Sequence, residues 1–384
     1  MIRKTLFLLT VILLSISENM VALPAPTLQG KLIYHSYTSY DALDSKIYLY
    51  DFANNQLSCI SGNWNIIAPM NAHFSPDGKQ ITFMGINPST DSWSIYLYEL
   101  DSPQQPVRLS AGNSRDEDPK FSPDGKRITF KRNDRVSEMD VATGNVTVIT
   151  PAGASYSMPY YNPEGDKLVC SKDGGQNSSI CLIDIHTKAI SVLYDKTGVQ
   201  DYYPIGADEN SFYYTTGYST SNRSDQVYRG YWNGQPSVSL AFNRSTGDYS
   251  DAYPVDDQWV IISSTRYGSR GGYDLYIANA ETGDIYSLTN YNSGINTSQE
   301  ELGATYYDPV RETNLPAIKT NDLIAYSTNQ VVTVTGEFDE VSIYDIAGQK
   351  LQCEKVKNHF VSQPLNTGIY FIRTDKQSGK IIVR

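Results

Sequence analysis

One six-residue string, Phe-Ser-Pro-Asp-Gly-Lys, occurs twice in the chain, at Phe74–Lys79 and at Phe121–Lys126. Degenerate copies of its surroundings recur along most of the sequence. A module repeated at a regular pitch constrains a fold more than any single residue does, because each copy builds the same supersecondary unit. The repeat therefore predicts a stacked or radial array.

The pitch of the repeat selects among the repeat folds. Aligning the copies on the residue three places before the Ser-Pro turn gives the anchors Ala72, Pro119, Pro159, Pro204, Pro254 and, more weakly, Thr305. Successive anchors are 47, 40, 45, 50 and 51 residues apart. Four short strands and their turns need roughly 40 to 50 residues, which is one blade of a β-propeller. The spacing thus favours a propeller over helical repeats.

Each copy is typical of four strands with their turns. Ser-Pro-Asp-Gly predicts a tight reversal, because proline presets φ at the second turn position and glycine accepts the left-handed exit. The residues after the turn are β-branched and aromatic, as at Ile81–Phe83 and Ile128–Phe130, which favours a strand. Third strands such as Ile95–Tyr98 lead into polar turns such as Ala142–Asn145.

The two ends of the repeat region complement each other. Lys31–Tyr34 has the pattern of a second strand with no first strand before it, and Gly303–Pro309 has that of a first strand with no blade after it. Pairing the two closes a ring of six blades and removes the exposed edges of an open array. The sequence therefore predicts an all-β chain with a six-bladed β-propeller over residues 26–312.

The repeats also resemble a known family. The two Phe-Ser-Pro-Asp-Gly-Lys copies, together with Ser264–Tyr267 and Gly271–Tyr276, are similar to the TolB-type six-bladed β-propeller over about residues 28–310. Propellers of this type serve as protein-binding modules, as substrate-gating domains of peptidases and as the body of certain polysaccharide lyases. The resemblance implies the fold, whereas the activity has to be argued from the site.

Charge and the N-terminal pattern limit the partners. The chain has 384 residues and a formal net charge of -11, which disfavours nucleic acid and anionic membrane surfaces. Residues 1–25 contain Arg3 and Lys4, then an apolar run over Leu6–Leu14, then a small and polar stretch. That order is typical of a secretory signal peptide, and the run is too short to span a bilayer. We expect an exported monomer without a transmembrane segment.

Export permits disulfides, so the four cysteines matter. Cys170 and Cys181 lie on the second and third strands of one predicted blade, which makes them hairpin neighbours. Two interpretations stay open, a Cys170–Cys181 bridge and a pair of small buried hydrophobic side chains, because the register decides whether they face each other. Cys59 and Cys353 fall in different domains and are expected to be unpaired.

The repeat pattern stops before residues 313–384. Alternating stretches such as Val341–Asp345 and Ile369–Arg373 predict a small C-terminal β-sandwich of the immunoglobulin-like class. Val341–Gln349, followed by Leu365–Arg373, resembles the C-terminal sorting domain of the type IX secretion system. This resemblance implies delivery to the cell surface through that export machinery. Periplasmic retention is the alternative, because the opening Asn-Pro motif is absent and the final lysine-rich strand is reduced.

Catalytic motifs are scarce in this chain. The sequence contains no nucleophile elbow, phosphate loop, dinucleotide fingerprint, His-Glu-x-x-His or EF-hand loop. Of the four histidines, only His35 and His73 are placed to approach the propeller channel. A lyase of the oligogalacturonide type needs several histidines around a divalent metal and a base for the α-proton. We predict no catalytic residue and no cofactor; a metal at His35 and His73 belongs to the lyase alternative only.

Topology predicts where a ligand binds. In an up-and-down blade the Ser-Pro-Asp-Gly turns share one end of the propeller, the turn end. The second-to-third-strand loops and the links between blades share the opposite end, the loop end. Ligand-binding residues usually lie on longer loops that a rigid scaffold positions. The predicted ligand-binding residues at the loop end are Tyr40, Trp93, Tyr218 and Tyr267 in the loops, Asp116, Asp201 and Asp251 three residues before an anchor proline, and Arg132 and Arg266 nearby.

These residue types allow more than one interpretation. Aromatic rings with hydroxyl groups suit glycan stacking or a peptide interface, and a ring of carboxylates suits a monovalent or divalent cation or a partner bearing Lys and Arg. Alternatively, the tyrosines pack between blades, the aspartates accept backbone N–H bonds and the arginines pair with those aspartates. The sequence favours a binding module for a protein or a glycan, with a polysaccharide lyase as the alternative.

Overall fold

A computed structural model of the protein describes residues 25–102, 104–110, 112–175, 177–217, 224–266, 268–308, 324–328, 330–335, 340–345, 348–356, 359–374 and 378–383. Residues 1–24 of the predicted signal peptide, Tyr218 and Tyr267 lie outside these ranges. Within them the regular elements are β-strands and two short 3-10 helices, Tyr40–Ala42 and Leu288–Asn290. No helix in this part of the chain has the length and apolar character needed to cross a membrane.

The N-terminal strands form six four-stranded blades around a central channel. Blade 1 contains β1 (Lys31–Tyr37), β2 (Lys46–Asp51), β3 (Gln56–Cys59) and β24 (Glu300–Tyr307). Blade 2 contains β4 (Ile67–Phe74), β5 (Gln80–Asn87), β6 (Ser92–Glu99) and β7 (Val107–Arg108). Blade 3 contains β8 (Asp116–Phe121), β9 (Arg127–Arg132), β10 (Arg135–Asp140) and β11 (Val146–Val148).

The other three blades repeat this order of strands. Blade 4 contains β12 (Ser155–Tyr161), β13 (Lys167–Asp173), β14 (Ser178–Asp184) and β15 (Ile190–Tyr194). Blade 5 contains β16 (Gln200–Gly206), β17 (Ser211–Gly217), β18 (Gln226–Tyr231) and β19 (Val238–Ser239). Blade 6 contains β20 (Tyr249–Pro254), β21 (Trp259–Ser264), β22 (Asp274–Asn279) and β23 (Ile285–Ser287).

The last propeller strand closes the ring, as the sequence predicts. β24 pairs antiparallel with β1, from Lys31 opposite Tyr307 to Tyr37 opposite Glu300. The first strands of neighbouring blades contact one another in order around the channel, including β24 with β4. The second strands are buried on both faces, and every residue of β17 and β21 is buried. The near-continuous apolar runs of the sequence therefore pack between blades.

Each first strand carries a β-bulge, a register shift next to a residue with positive φ. The six bulge residues are Asn71, Asp118, Met158, Tyr203, Asp251 and Gly303, with φ between 52° and 60°. The residue after the bulge is Ala72, Pro119, Pro159 or Pro204 in four blades, which matches the predicted anchors. The last two anchors were wrong, because the equivalent residues are Ala252 and Ala304 rather than Pro254 and Thr305.

This correction changes the predicted ring of aspartates. Asp116 and Asp201 occupy the same position, two residues before the bulge, whereas Asp251 is itself a bulge residue. The residue equivalent to Asp116 is Tyr249 in blade 6 and Glu301 in blade 1. Pro254 misled the alignment because it ends β20 instead of following the bulge.

The C-terminal strands form a separate β-sandwich. One sheet has the order β25-β26-β30-β29 and the other β28-β27-β31-β32. The strands are β25 (Ile324–Thr328), β26 (Val331–Thr335), β27 (Val341–Tyr344), β28 (Lys350–Leu351), β29 (Cys353–Val356), β30 (His359–Ser362), β31 (Gly368–Thr374) and β32 (Ser378–Val383). Val334, Ile343, Phe360 and Ile372 share one buried core between the two sheets.

The register resolves how the blade cysteines face each other. Cys170 on β13 lies directly opposite Cys181 on β14. Both side chains are fully buried, and all four cysteines are free thiols in this structure. The pair thus packs as two small hydrophobic side chains, in a register that places them next to each other.

Candidate binding surfaces at the two ends of the channel

The predicted ligand residues Asp116 and Arg132 pair with each other. The two residues are directly opposite on β8 and β9. The Arg132 Nε donates to Asp116 Oδ1 at 2.8 Å and its second guanidinium nitrogen donates to Oδ2 at 2.7 Å. Because Asp116 is fully buried, removing its partner would leave an uncompensated charge. The geometry therefore fits the internal salt-bridge interpretation for both residues.

The other two predicted aspartates are also tied to the protein. Asp201 accepts a hydrogen bond from Thr216 Oγ1 at 2.6 Å, and burial raises its pKa to about 6. Asp251 accepts from Ser250 Oγ at 2.9 Å and from the Gly303 backbone N–H at 3.2 Å. Burial also raises the pKa of Asp251. The three aspartates thus do not form an open ring of carboxylates at the channel mouth.

Arg266 is held against its own blade. Its guanidinium carbon lies 5.3 Å from the centre of the Tyr276 ring, which is within the range of a cation–π contact. Its backbone N–H donates to Ser264 Oγ at 3.2 Å. Arg266 is therefore placed by packing in blade 6 and not by the predicted aspartates.

Two predicted aromatic residues do come together at the loop end. Tyr40, in the 3-10 helix after β1, stacks on Trp93 with ring centres 6.3 Å apart and planes inclined by 15°. Trp93 belongs to strand β6, whereas the sequence suggested that it lies in a loop. Tyr40 is 46% exposed and Leu43 beside it is 42% exposed, whereas Trp93 is 6% exposed.

An arginine that the sequence reasoning missed completes this cluster. The Arg115 guanidinium carbon lies 5.8 Å from the centre of the Trp93 ring. Arg115 also donates to Glu117 Oε1 at 2.7 Å and to the Tyr40 hydroxyl at 3.5 Å. Its position directly before the first strand of blade 3 is the sequence signal that could have found it. We call Tyr40, Leu43, Trp93 and Arg115 the loop-end shelf.

The middle of the channel is narrowed by three ring side chains. His73, Tyr160 and Tyr253 occupy one register position in blades 2, 4 and 6. The centre of the His73 ring lies 5.6 Å from that of Tyr160 and 6.5 Å from that of Tyr253. His73 Nε2 is 3.3 Å from the Tyr160 hydroxyl, and its Nδ1 accepts from the Phe121 N–H at 3.3 Å.

The second channel histidine is bound to the protein as well. His35 Nδ1 accepts from the Asn71 backbone N–H at 3.4 Å. A β-carbon at Gly303 would lie 2.6 Å from the His35 ring, so glycine is needed there. Burial, followed by the nearby charge of Lys120, lowers the pKa of His35 to about 3 and also lowers the pKa of His73. Both rings are therefore neutral near pH 7.

These contacts bear on the lyase alternative. Within the described residues, no group of three or more His, Cys, Asp or Glu side chains is placed to hold a metal ion. Three of the four ring nitrogens of His35 and His73 already face groups of the protein. His35 and His73 are thus held by contacts within the protein.

A buried lysine is the charged group that sequence reasoning overlooked in the channel. Lys120 occupies the same register position as His73 and is 6% exposed. Its ammonium nitrogen lies 5.9 Å from the Tyr203 ring centre. Burial lowers the pKa of Lys120, while the charges of Asp118 and Asp251 oppose this shift. Asp118 is fixed by Asn71, whose amide donates to it at 2.7 Å.

The turn end of the channel opens into an apolar funnel. Its cavity measures about 360 Å³ and has His73, Tyr160 and Tyr253 among its lining residues. The other lining residues come from the ends of the first strands and their turns: Phe74, Ser75, Pro76, Phe121, Ser122, Pro123, Tyr161, Asn162, Pro163, Gly206, Ala207, Asp208, Pro254, Tyr306, Tyr307 and Asp308. The Ser-Pro turns, which the sequence suggested only as tight reversals, therefore build a cavity wall.

Comparisons with known proteins agree with this architecture. The family model described as the TolB beta propeller domain matches residues 11–241. A search of curated proteins gives no match. A solved putative TolB from Agrobacterium tumefaciens is 13% identical with a TM-score of 0.51, and the match covers 68% of this chain and 89% of that chain.

Two further solved structures are similar to this chain. The hydrazine synthase of Kuenenia stuttgartiensis is 11% identical with a TM-score of 0.59, over 94% of this chain and 68% of that chain. An oligogalacturonate lyase in complex with manganese is 14% identical with a TM-score of 0.44, over 92% of this chain and 86% of that chain. At such identities the likeness shows the fold alone, and the lyase match carries no argument about activity.

Proposed function

We propose that this chain, which belongs to the TolB β-propeller domain family, is a non-enzymatic binding module. Because the fold hosts several unrelated functions, its binding surface carries the proposal. The chain recognises a protein partner through the loop end of the propeller. The signal-peptide pattern of residues 1–25 supports export of the chain. The negative net charge of -11 supports a partner other than nucleic acid.

The loop-end shelf is the observation that carries this proposal. Tyrosine, tryptophan and arginine are the residue types enriched at the centres of protein interfaces. Here Tyr40, Trp93 and Arg115 come from three different blades and are fixed by stacking and by the Arg115–Glu117 ion pair. Such a preorganised cluster loses little side-chain entropy on binding.

The shelf favours a protein over a glycan. A sugar platform needs an open aromatic face, but Trp93 is 6% exposed and Tyr40 stacks on it. The exposed atoms belong to Tyr40, to Leu43 and to Arg115, whose side chain is 53% exposed. An apolar edge next to a cation suits a polypeptide surface with an aliphatic residue and a carboxylate.

Site-specific photo-crosslinking tests the proposal. Tyr40 is replaced by p-benzoylphenylalanine in the native host, with the same substitution at Val238, which is 51% exposed on β19, as the matched control. We expect one discrete protein adduct from position 40 and none from position 238. Arg115→Ala should reduce the adduct at position 40 about tenfold, as expected for the loss of one interface hot-spot residue.

Two results would contradict the protein-binding proposal. Equal adducts from positions 40 and 238 would show that crosslinking reflects exposure alone. Binding to a glycan array that Tyr40→Ala abolishes, without any protein adduct, would make the ligand a carbohydrate. For the lyase alternative, absorbance growth from an unsaturated uronate product, abolished by His73→Ala, would make the protein an enzyme.

We further propose that the C-terminal sandwich is a sorting domain for delivery to the cell surface. The turn after β27 supports this resemblance at the level of local structure. Asp345 Oδ1 accepts from the Gln349 N–H at 2.8 Å, and Gly348 has a φ of 79°. The Gly348 N–H also donates to the Asp345 carbonyl oxygen at 3.1 Å, so the described residues Asp345 and Gly348 contact each other between β27 and β28. Periplasmic retention is the competing location.

A further inference from the structure

The funnel at the turn end lies at the opposite end of the channel from the loop-end shelf. Its floor includes the rings of His73, Tyr160 and Tyr253, which converge from three alternate blades. A molecule that enters from the turn end therefore meets side chains instead of an open passage. The funnel suits a short apolar group at the tip of a larger partner, because its volume of about 360 Å³ is at the lower end of ligand-binding cavities.

The wall of the funnel has a consistent chemistry. Proline rings from successive turns, Pro76, Pro123 and Pro163, alternate with aromatic side chains such as Tyr161 and Tyr307. Proline and tyrosine present flat, stiff surfaces that lose little conformational entropy when a ligand binds. Grooves lined by aromatic rings are the kind that proteins use to bind extended, proline-containing segments.

The rim around the funnel is strongly acidic. The turns between first and second strands, with the residue that opens the next strand, carry nine acidic and five basic residues: Asp77, Asp124, Glu164, Asp166, Asp208, Glu209, Asp256, Asp257 and Asp308, against Lys31, Lys79, Lys126, Arg127 and Lys167. Arg127 is already paired with Glu138 at 3.0 Å and donates to the Gly165 carbonyl. The excess of negative charge favours a basic partner and opposes a second copy of this acidic chain.

A groove next to the funnel gives an extended chain room to continue. It measures about 260 Å³ and lies between the turns of blades 3 and 4. The groove shares Pro123 and Pro163 with the funnel, and its lining also includes Asp124, Glu164 and Arg127, whose charge is paired with Glu138. An apolar side chain in the funnel and a Lys or Arg side chain in the groove would therefore belong to one polypeptide segment.

We propose that the turn end is a second binding site, which takes an extended segment of a partner protein that carries an apolar residue or proline flanked by Lys or Arg. The apolar residue enters the funnel, and the basic residues meet the acidic rim. This site is separate from the loop-end shelf, so that one propeller holds two partners at opposite ends of its channel.

Labelled peptides test the proposal on the full-length protein. The probes are fluorescein-labelled nonapeptides with Leu, Phe or Pro at the centre and lysine on both flanks; the matched controls carry glutamate on the flanks. We expect fluorescence anisotropy to show binding of at least one lysine-flanked peptide, at least tenfold tighter than its glutamate-flanked control. Affinity should fall as salt rises, because the rim charges are exposed and screened.

Two variants separate the funnel from the rim. Ala207→Trp fills the funnel from its wall and should abolish peptide binding. Glu209→Lys with Asp257→Lys reverses two exposed rim charges and should weaken the lysine-flanked peptides about tenfold. The same double reversal at the loop end, Asp173→Lys with Asp195→Lys, is the matched control and should have little effect. Crosslinking at Tyr40 should be unchanged in Ala207→Trp and in the double reversal at the rim.

Several outcomes would overturn the proposal. They are equal binding of the lysine and glutamate peptides, no binding of any lysine-flanked peptide at 1 mM, and an equal effect of the rim and loop-end reversals. If Ala207→Trp fails to fold, the two double reversals still decide the question. A dimer on gel filtration that Ala207→Trp dissociates would make a second copy the occupant instead.

Discussion

The ring of Tyr307 packs directly against Gly78, at the junction where the last propeller strand meets blade 2. A β-carbon on Gly78 would lie 2.2 Å from this ring. The Tyr307 hydroxyl also donates to the Asp77 carbonyl oxygen at 3.1 Å. Gly78, with a φ of 66°, therefore allows the left-handed conformation of the Ser-Pro-Asp-Gly turn. It also leaves space for Tyr307, on the strand that closes the ring.

Replacing this glycine separates the two roles. Gly78→Ala should lower the free energy of unfolding by about 3 kcal/mol, from left-handed strain plus displacement of Tyr307. Gly125→Ala is the matched control, since Gly125 has a φ of 71° in the same turn of blade 3 but its β-carbon would only approach Pro76 at 3.4 Å. The control should lose about 1 kcal/mol. Equal losses in chemical denaturation would mean that Tyr307 makes no special contact.

Ring closure gives a second prediction. A chain that ends at Gln299 lacks β24 and leaves the edge of β1 unpaired, so we expect it to aggregate. A chain that ends at residue 312 keeps β24 and should be soluble and monomeric. Light scattering and gel filtration of the two truncated chains measure the difference. Identical behaviour would argue that β24 is dispensable for the propeller.

The fold was largely predictable because its determinants are local and repeated. The orphan second strand at Lys31–Tyr34 and the orphan first strand at Gly303–Pro309 each match one part of the repeat, so their pairing followed from the pattern. The bulge residues were not predictable. Asn71, Met158 and Tyr203 share a positive φ but no chemical property, because neighbouring strands impose this conformation.

The candidate sites were predictable only in part. Tyr40 and Trp93 were identified as loop-end aromatic residues. Their stack with Arg115 depends on the packing of three blades, and a repeat pattern does not predict contacts between blades. Asp116 and Arg132 lie at the expected end of the propeller, and the cross-strand register makes them partners, which was one of the two interpretations that the sequence left open. The funnel was missed because Pro123 was interpreted through its turn and not through the surface that its ring presents.

The buried carboxylate of Asp201 should make stability depend on pH. Its pKa is raised to about 6 in the folded chain, against an ordinary value of 3.8, mainly by burial. The native state then binds more protons than the unfolded state between these values, so this group's contribution to stability is present at low pH and is lost as pH rises through about 6. A shift of this size corresponds to about 3 kcal/mol.

Asp201→Asn tests this dependence, because an amide keeps an acceptor for Thr216 but does not ionise. The free energy of unfolding of the variant minus that of the natural chain should increase from pH 4 to pH 7. Urea denaturation at four pH values in this range measures it. A constant difference would show that Asp201 titrates normally.

The C-terminal sandwich provides the last prediction, which concerns sorting. Its buried core consists of C-terminal residues, among them Val334 and Ile343, and the propeller clusters contain none of them. Domains with separate cores unfold independently. Deleting residues 318–384 should therefore shift the propeller's Tm by less than about 2 °C, because little of its stabilising contact surface is lost.

In the native host the same deletion should keep the protein in the periplasm, which cell fractionation and surface proteolysis measure. Val334→Asp provides the matched control, because it retains every residue of the tail but places a charge in the core of the sandwich. If the folded sandwich is the signal that the export machinery reads, this variant should be retained like the deletion. Surface display of the deleted chain would refute the sorting role, and display of Val334→Asp alone would mean that a linear segment is read instead.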